Sequence, residues 1–207
     1  MTIERACVMA GLNNTVYNTK VFRLSSNTGV EIKILEVVMN KESSKYGINR
    51  KLGVGENRIK ILFVCHGNIC RSPMAEFVMK DLVRQAGLEG QFQIASAATS
   101  TEELGNPVYP PARRKLWEHG IRCEGKRARQ MTAGDYKEYD LLIGMDEANL
   151  RNMRRICGGD PQGKLHLLLD YTHCPGQVAD PWYTGDFEAT WRDVLAGCQG
   201  LLAAVRG

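Results

Sequence analysis

Apolar and polar positions follow two different periods from residue 58 onwards. Short apolar runs with polar flanks, typical of buried strands, occur at Ile59–Val64, Phe92–Ala97, Tyr139–Met145 and Leu165–Leu169. Apolar residues at helical spacing predict helices at Ser72–Gly87, in a segment ending at Glu118, at Asp146–Cys157 and over residues 187–205. Strands that alternate with helices favour an α/β fold. We predict a four-stranded parallel sheet, doubly wound in a Rossmann-like, three-layer arrangement.

The first 57 residues have a different pattern. Strand-like alternation at Lys20–Ser25 and Val30–Val38, with the turn signal Asn27-Thr28-Gly29 between them, predicts a β-hairpin. Residues 40–57 are rich in Lys, Ser, Gly and Asn, a composition that predicts a linker. We therefore predict an N-terminal extension, residues 1–57, and a domain, residues 58–207. The sequence does not decide between an appendage without catalytic role and a hairpin for docking or oligomerisation.

Composition restricts the class of protein. The chain has 207 residues, of which 43% are hydrophobic, enough for one buried core. Its net charge of +4 is modest, and no basic stripe with interleaved aromatics indicates a nucleic-acid-binding protein. No apolar run approaches the roughly 18 residues that span a bilayer. The cysteines number seven, odd and irregularly spaced, which favours a reducing, cytoplasmic setting over a disulfide framework.

The loop between the first predicted strand and helix has the sequence Val64-Cys65-His66-Gly67-Asn68-Ile69-Cys70-Arg71-Ser72-Pro73. From the first cysteine to the arginine, the backbone is long enough to curl into a cup of inward N–H groups. Such a cup at a helix N-terminus binds a tetrahedral oxyanion. Gly67 and Asn68 most readily adopt the left-handed conformation that a tight cup needs. We predict that Ser72 caps the helix and that Pro73 is its first residue.

These residue types predict nucleophilic chemistry on a phosphate. Arg71 can clamp two phosphate oxygens with its planar guanidinium, and the N–H groups that bind phosphate also favour a Cys65 thiolate. A thiolate beneath a bound phosphate is a nucleophile directed at phosphorus. Asp180 is the candidate general acid, because Pro181 keeps it outside a helix and nearby aromatics could flank an aryl leaving group.

The pattern Val-Cys-x-Gly-Asn-x-Cys-Arg-Ser-Pro, followed by Asp-Pro-aromatic-Tyr about 115 residues later, resembles the low-molecular-weight protein tyrosine phosphatase family, in its bacterial form. The resemblance begins at about Arg58 and continues to the C-terminus. Further matching stretches are Ser96-Ala97-Ala98-Thr99-Ser100, Glu118-His119-Gly120-Ile121, Ala128-Arg129-Gln130-Met131-Thr132 and Met145-Asp146-Glu147-Ala148-Asn149-Leu150. A Cys-x5-Arg motif alone is a weak signal, whereas these matches in order are a strong one.

The resemblance implies a role for each matching residue. It makes Cys65 the nucleophile that forms a phosphocysteine, Arg71 the phosphate ligand, and Asp180 the acid that protonates the leaving phenol and then activates water. It implies that the Ser72 hydroxyl hydrogen-bonds the thiolate, and that Asn68 is the left-handed loop residue. Further matches are Ser96 as a support of the loop, and Trp182 and Tyr183 as the wall of the substrate pocket.

The resemblance implies neither a metal nor an organic cofactor. It makes phosphotyrosine proteins the substrates and a tyrosine kinase a candidate partner. Two positions depart from the family pattern. Lys126 stands where the family usually has a histidine that supports the loop asparagine. Glu102, next to Glu103, stands where eukaryotic relatives have an aromatic, and an acidic rim would disfavour acidic phosphopeptides.

Other functions stay open at this point. Protein arginine phosphatases of the same family typically have Thr where this chain has Ile69, which favours phosphotyrosine. Thioredoxin-coupled arsenate reductases need two further cysteines, and residues 134–145 contain none. An inactive phosphate-binding module is the alternative outside enzymes. Cys65, His66 and Cys70 have the wrong spacing for a zinc site. A disulfide between Cys65 and Cys70 that protects the nucleophile from over-oxidation is a separate hypothesis.

Overall fold

The computed structural model describes residues 19–24 and 32–37, by their backbone, and residues 58–206. The chain divides into two compact units, Met1–Lys41 and Glu42–Gly207. The first unit contains a two-stranded sheet and the second a four-stranded sheet.

The smaller sheet is an antiparallel pair of strands, β1 (Thr19–Leu24) and β2 (Ile32–Val37). Both strands fall in the segments where alternation predicts them. The predicted turn, Asn27-Thr28-Gly29, and the predicted linker, residues 40–57, lie outside the described residues.

The larger unit alternates strands with helices, as the sequence pattern predicts. Its strands are β3 (Ile59–Cys65), β4 (Phe92–Ala98), β5 (Leu141–Gly144) and β6 (Leu165–Leu167). Its helices are α1 (Arg71–Gln85), α2 (Pro110–Glu118), α3 (Ala133–Glu138), α4 (Glu147–Cys157), α5 (Pro181–Thr184) and α6 (Phe187–Arg206). Single 3-10 turns occur at Glu89–Gln91 and Leu168–Tyr171.

The four strands form a parallel sheet in the order β4-β3-β5-β6, which confirms the predicted fold class. Cys65, the last residue of β3, is opposite Ala98, the last residue of β4, and Val64 is opposite Gly144, the last residue of β5. The carboxyl ends of three strands therefore meet at one edge. Open α/β sheets bind their ligands at such an edge.

Helices cover both faces of the sheet, so the domain has three layers. Side chains of β3 alternate between the faces: Ile61 and Phe63 belong to one apolar cluster, and Leu62 and Val64 to another. The first cluster contains residues of α1, α2 and α6, and the second residues of α3 and α4. Because both faces are buried, β3 is a continuous apolar run from Ile61 to Cys65 instead of an alternating one.

The start of α1 differs from the prediction. The helix begins at Arg71, its N-cap residue is Cys70, and no side chain caps it. Ser72 is therefore inside the helix, fully buried, and its hydroxyl faces Cys65 and Asn68. The physical reason is that the first N–H groups of this helix lie where an anion would bind, so a capping side chain would occupy the site.

Two short helices, α3 and α5, were not apparent from the apolar pattern. The start of α3 is fixed by a capping box between Thr132 and Asp135. Helix α4 begins where predicted, with the Asp146 carboxylate accepting a hydrogen bond from the Asn149 N–H. Among the residues that the structure describes, no helix has the length and apolar character that crossing a membrane requires.

Candidate active site

The loop between β3 and α1 lines a pocket of about 180 Å³ at the carboxyl edge of the sheet. Hydrogen bonds from Thr99 N–H to the Cys65 carbonyl, and from Ser100 N–H to the His66 carbonyl, tie the loop to the end of β4. The pocket residues come from this loop, from the segment after β4 and from the start of α5: Cys65, His66, Gly67, Ile69, Cys70, Arg71, Glu102, Glu103, Asp180, Trp182 and Tyr183.

The sulfur of Cys65 lies at the base of the pocket. It accepts a hydrogen bond from the Asn68 backbone N–H at 3.3 Å and lies 3.1 Å from the Ser72 hydroxyl oxygen. The Asn68 side-chain amide donates to the same hydroxyl at 2.9 Å, so the hydroxyl hydrogen can be donated to the sulfur or to the Ala97 carbonyl, which is 3.4 Å away, and an ionised sulfur is the stronger acceptor. The arrangement therefore offers a Cys65 thiolate two hydrogen-bond donors.

Cys70 has a different environment although it belongs to the same loop. Burial, the negative charge of Cys65 and that of Asp180 raise the pKa of Cys70 to about 12. Cys70 is therefore a protonated thiol at neutral pH, and a thiol is a poor nucleophile. Of the two loop cysteines, Cys65 is the one positioned as a nucleophile.

The Arg71 guanidinium lies between two carboxylates at the edge of the pocket. One nitrogen donates to Asp146 at 2.7 Å and another to Asp180. Burial alone would lower the pKa of Arg71, but the thiolate of Cys65 and the hydrogen bond to Asp146 raise it above its usual value. The guanidinium is thus a permanent cation beside the Cys65 sulfur, where the oxygens of a bound phosphate would lie.

Asp180 precedes α5 and caps it. One carboxylate oxygen accepts from the Trp182 N–H at 3.1 Å, and the other accepts from Arg71. The side chain is 27% exposed, so it remains accessible from the pocket. Trp182 and Tyr183 belong to the helix that Asp180 caps and lie at the pocket entrance, where they are 58% and 86% exposed.

Asn68 holds the loop in its bent form. Among the described residues it is the one non-glycine with positive φ, at 59°. Its side-chain amide donates to Ser96 at 2.7 Å as well as to Ser72, and its carbonyl accepts from the Arg129 N–H. Gly67 does not adopt positive φ, contrary to the prediction. A Cβ at this position would lie 3.0 Å from the Glu103 Cγ, a close contact that the Glu103 side chain would have to move to relieve.

A buried ion pair lies behind Asn68. The Ser96 hydroxyl donates to the Glu76 carboxylate at 2.6 Å, and Lys126 lies 2.9 Å from the same carboxylate while donating to the Ser96 carbonyl. Lys80 binds the other oxygen of Glu76. Burial would raise the pKa of Glu76, but Lys126 and Lys80 outweigh burial and lower it, so Glu76 is ionised.

The rim of the pocket carries exposed charges. The His66 imidazole lies 3.0 Å from the Glu102 carboxylate, and both side chains are more than half exposed. Glu103 accepts a hydrogen bond from the Asn106 side chain. No group of side chains suited to hold a metal ion occurs among residues 58–206 or elsewhere in the described part of the chain.

The model of the family described as low molecular weight phosphotyrosine protein phosphatase matches residues 60–207. The chain belongs to this family. A relative is the low molecular weight protein-tyrosine-phosphatase YfkJ of Bacillus subtilis, 39% identical over 150 residues, which are 72% of this chain and 96% of YfkJ. The crystal structure of YfkJ superposes with a TM-score of 0.71 and covers 74% of this chain and 98% of that one, at 38% identity.

Two other solved structures of phosphatases are similar to this chain. The low molecular weight protein tyrosine phosphatase SP-PTP of Streptococcus pyogenes has a TM-score of 0.65 at 39% identity and covers 72% of this chain and 94% of its own. An arginine phosphatase of Drosophila has a TM-score of 0.67 at 27% identity and covers 72% and 99%. The same fold therefore occurs in phosphatases named for tyrosine and in one named for arginine.

In this low molecular weight phosphatase, the structure brings all of the sequence-predicted site residues to one place. Cys65, Arg71, Asp180, Trp182 and Glu102 line the same pocket. The rest of the set lies in the pocket wall or directly behind it: His66, Gly67, Asn68, Ile69, Cys70, Ser72, Ser96 and Tyr183.

Sequence reasoning missed two carboxylates of this phosphatase. Asp146 was predicted as the start of a helix, and the structure shows that it caps this helix and also binds Arg71. Glu76 was not singled out, although a signal existed. It lies four residues after Ser72, on the same face of α1, and an acidic residue facing a buried loop needs a cation nearby. Lys126 supplies that cation from the position where the family usually has histidine.

Proposed function

We propose that this chain hydrolyses phosphotyrosine in proteins through a phosphocysteine on Cys65. The observation that carries the proposal is the convergence on one small pocket of the Cys65 sulfur, the Arg71 guanidinium and the Asp180 carboxyl. A nucleophile, an anion clamp and a proton donor are the groups that phosphate monoester hydrolysis needs when no metal takes part.

The first step transfers the phosphoryl group to sulfur. The Cys65 thiolate attacks phosphorus, the bond from phosphorus to the tyrosine oxygen breaks, and Asp180 gives its proton to that oxygen. Arg71 and the loop N–H groups bind the three remaining phosphate oxygens as their charge is redistributed. The phenol leaves as neutral tyrosine and Asp180 is left as a carboxylate.

The second step regenerates the thiolate. Asp180 accepts a proton from water as the water oxygen attacks phosphorus, and the phosphorus–sulfur bond breaks. The hydrogen bonds from Ser72 and from the Asn68 N–H stabilise the departing thiolate. The products are inorganic phosphate, the Cys65 thiolate and a protonated Asp180, which is the form that the first step uses.

Substrate binding requires Arg71 to exchange partners. In this structure its guanidinium binds Asp180 on one side and Asp146 on the other. A phosphate in the cup displaces Asp180 from Arg71, and the freed carboxylate takes up from water the proton that it gives to the leaving oxygen. Asp146 keeps the guanidinium oriented during the exchange, which makes it a positioning residue for Arg71.

The pocket supports an aryl phosphate as the substrate. Ile69 lines it with an apolar side chain, and Trp182 and Tyr183 supply aromatic surface at its entrance. A phosphotyrosine ring can stack on such surface. A phosphoarginine guanidinium would need a polar partner where Ile69 stands.

The same chemistry suggests the cellular setting. A tyrosine kinase is the class of enzyme that supplies the substrate, so we propose one as the functional partner. The catalytic thiolate must stay reduced, which suits the cytoplasm. We further propose that residues 58–207 form the catalytic domain and that residues 1–57 take no part in catalysis.

The test is hydrolysis of p-nitrophenyl phosphate, a phosphotyrosine peptide and phosphoarginine between pH 5 and 8. The full chain, the Cys65→Ser variant and a chain lacking residues 1–57 are compared, with Cys70→Ser as the matched control for loss of a loop thiol. We expect turnover of both aryl phosphates, little of phosphoarginine, and none by Cys65→Ser. We expect the truncated chain to equal the full chain.

Each contrary outcome has a distinct meaning. Turnover mainly of phosphoarginine would show that Ile69 does not exclude that substrate. Activity that appears only after residues 1–57 are deleted would make the extension inhibitory. No turnover by either chain would reduce the pocket to an anion-binding site and overturn the proposal. Equal loss of activity in Cys70→Ser and Cys65→Ser would contradict the assignment of the nucleophile.

A further inference from the structure

A second groove, of about 320 Å³, lies next to the catalytic pocket. The two share one lining residue, Trp182, which therefore has the catalytic pocket on one side and the groove on another. The remaining walls of the groove come from the start of α2, from both ends of α5 and from the start of α6. Its apolar lining consists of Tyr109, Pro111, Pro181, Trp182 and Phe187.

The walls of the groove are aromatic and open to solvent. The rings of Tyr109 and Trp182 have centroids 5.6 Å apart, and those of Tyr109 and Phe187 6.1 Å apart. Trp182 is more than half exposed, an unusual state for the largest apolar side chain. The carboxylates of Glu102 and Glu103 line the catalytic pocket and not the groove.

The groove is fixed in position relative to the phosphate site. The Tyr109 N–H donates to the Ile69 carbonyl at 2.9 Å, so the start of α2 is bound to the phosphate-binding loop. Tyr109 and Phe187 also pack against the buried cluster that contains Ile69 and Cys70. Trp182 is held by the cap on Asp180. A preformed apolar groove of this kind binds a side chain without first having to reorganise.

We infer that this groove is a specificity subsite that holds an apolar, preferably aromatic, side chain of the substrate protein near its phosphotyrosine. The inference rests on the proposed phosphotyrosine phosphatase function. The occupant is a residue of the substrate because the two sites adjoin at Trp182. When the phosphotyrosine ring stacks on this indole, the neighbouring residues of the same peptide lie next to the groove. One residue of extended peptide spans about 3.5 Å, which places the apolar residue within about three positions of the phosphotyrosine.

Charge limits the choice of that residue. The one charged side chain in the lining of the groove is Arg114. A lysine or arginine of the substrate would meet this cation and would leave the aromatic surface uncovered. The groove thus selects apolar over basic side chains, whereas Glu102 and Glu103 at the catalytic pocket select against acidic ones.

The experiment measures kcat/KM of the full chain for phosphotyrosine peptides in an alanine background. Each of the three positions on either side of the phosphotyrosine is changed in turn to Leu, Phe, Lys or Glu. At one position we expect Phe or Leu to raise kcat/KM over Ala by about tenfold, mainly through KM, with no gain from Lys. The variant Phe187→Ala should reduce this preference to less than about twofold.

Trp117→Ala is the matched control. Trp117 is an exposed aromatic on α2, the helix that supplies one wall of the groove, but it lines neither the groove nor the catalytic pocket. We expect this variant to keep the full preference. Thermal unfolding shows whether Phe187→Ala is folded, and if it is not, the peptide series on the unaltered chain decides alone.

Two results would overturn the inference. One is a change of less than twofold at every peptide position while p-nitrophenyl phosphate is hydrolysed, which leaves the phosphatase function intact. The other is a folded Phe187→Ala variant that keeps the tenfold preference. A chain that hydrolyses neither peptides nor p-nitrophenyl phosphate would instead contradict the proposed function on which the inference depends.

Discussion

The floor and the rim of the catalytic pocket are built in opposite ways. The floor consists of Asn68, Ser72 and Glu76, whose side chains are buried. The Asn68 amide donates to the Ser72 hydroxyl, and Lys80 donates to the Glu76 carboxylate. On the rim, Trp182 and Tyr183 are exposed. The floor holds one geometry and the rim can vary, so we expect substitutions in the floor to change kcat and substitutions at the rim to change the choice of substrate.

The difference follows from the energetics of buried polar groups. An L-residue in the left-handed conformation of Asn68 costs about 1 kcal/mol, and a buried polar group without a partner costs about 1–3 kcal/mol. The hydrogen bonds of the Asn68 side chain to Ser72, Ser96 and Arg129 offset both costs. Removal of one floor residue leaves its partners buried and unpaired, whereas removal of a rim residue exposes its partners to water.

Among the substitutions that compare the floor with the rim, we expect the largest effect from Arg71→Lys. Lysine keeps the charge but cannot bind two phosphate oxygens with one planar group, nor bridge Asp146 and Asp180. We expect kcat/KM for p-nitrophenyl phosphate to fall by about 10³. Steady-state kinetics measures this, with Arg127→Lys, whose arginine lies outside the catalytic pocket, as the matched control. A loss below tenfold would show that charge alone suffices on the floor.

The next effect concerns the proton transfer. Asp180→Asn removes the acid but keeps the cap on α5, because the asparagine oxygen can still accept from the Trp182 N–H. We expect kcat/KM, which reports the steps up to departure of the phenol, to fall by about 10² for phosphotyrosine, and less for an aryl phosphate with a more acidic leaving group. The dependence of kcat/KM on leaving-group pKa across substituted phenyl phosphates checks this. An equal loss for every leaving group would contradict the role of Asp180 as proton donor.

A matched pair of lysine variants tests how far the floor extends. Lys126 and Lys80 both bind Glu76, but the Lys126 side chain is 12% exposed and that of Lys80 is 43% exposed. Lys126→Met should lower the free energy of unfolding by about 3 kcal/mol and kcat by about tenfold, through Ser96 and Asn68. Lys80→Met should cost about 0.5 kcal/mol and leave kcat unchanged. Chemical denaturation and kinetics compare them, and equal effects would refute a special role of Lys126.

Glu76 also predicts a pH dependence. Its pKa is lowered in the folded protein, because Lys126 and Lys80 outweigh the effect of burial. The unfolded chain therefore binds the Glu76 proton more tightly. The stabilisation by the ionised carboxylate is present above the unfolded pKa and is lost as pH falls through the folded one. Glu76→Gln should be less stable at pH 7 and should lose less of its stability on acidification.

Much of the fold was predictable because it depends on local patterns. The apolar run of β3 and the spacing of α6 indicate one buried strand and one amphipathic helix whatever their partners are. The short helix α3 was not predictable from apolar spacing, because a capping box and not an apolar face defines it. The prediction that Ser72 caps the helix was wrong, because a side chain that capped these N–H groups would occupy the place where an anion binds.

The site was predictable where one motif holds its residues together. Cys65 and Arg71 belong to one loop, so their proximity follows from sequence distance alone. The pairing of Arg71 with Asp146, and of Glu76 with Lys126, joins residues far apart in the chain. The pairing of β3 with β5 brings Arg71 to Asp146, and the segment between α2 and α3 brings Lys126 to Ser96 and Glu76. Neither charge nor spacing in the sequence reveals this arrangement.

The smallest effect that we expect is at the rim, from Glu102→Gln. The carboxylate is 70% exposed and paired with His66, so its loss should not change stability measurably. We expect kcat/KM to rise about threefold for acidic phosphotyrosine peptides and to fall about threefold for basic ones, since one charge at the entrance is screened by water. Glu89→Gln, an exposed carboxylate outside the pocket, is the control with the same change of net charge. Because exposed charges act through solvent, about 0.5 M salt should abolish the difference. The contrary result is that Glu102→Gln lowers kcat equally for every peptide and that salt does not change this loss. Glu102 would then act like a floor residue, and the distinction between floor and rim would be wrong.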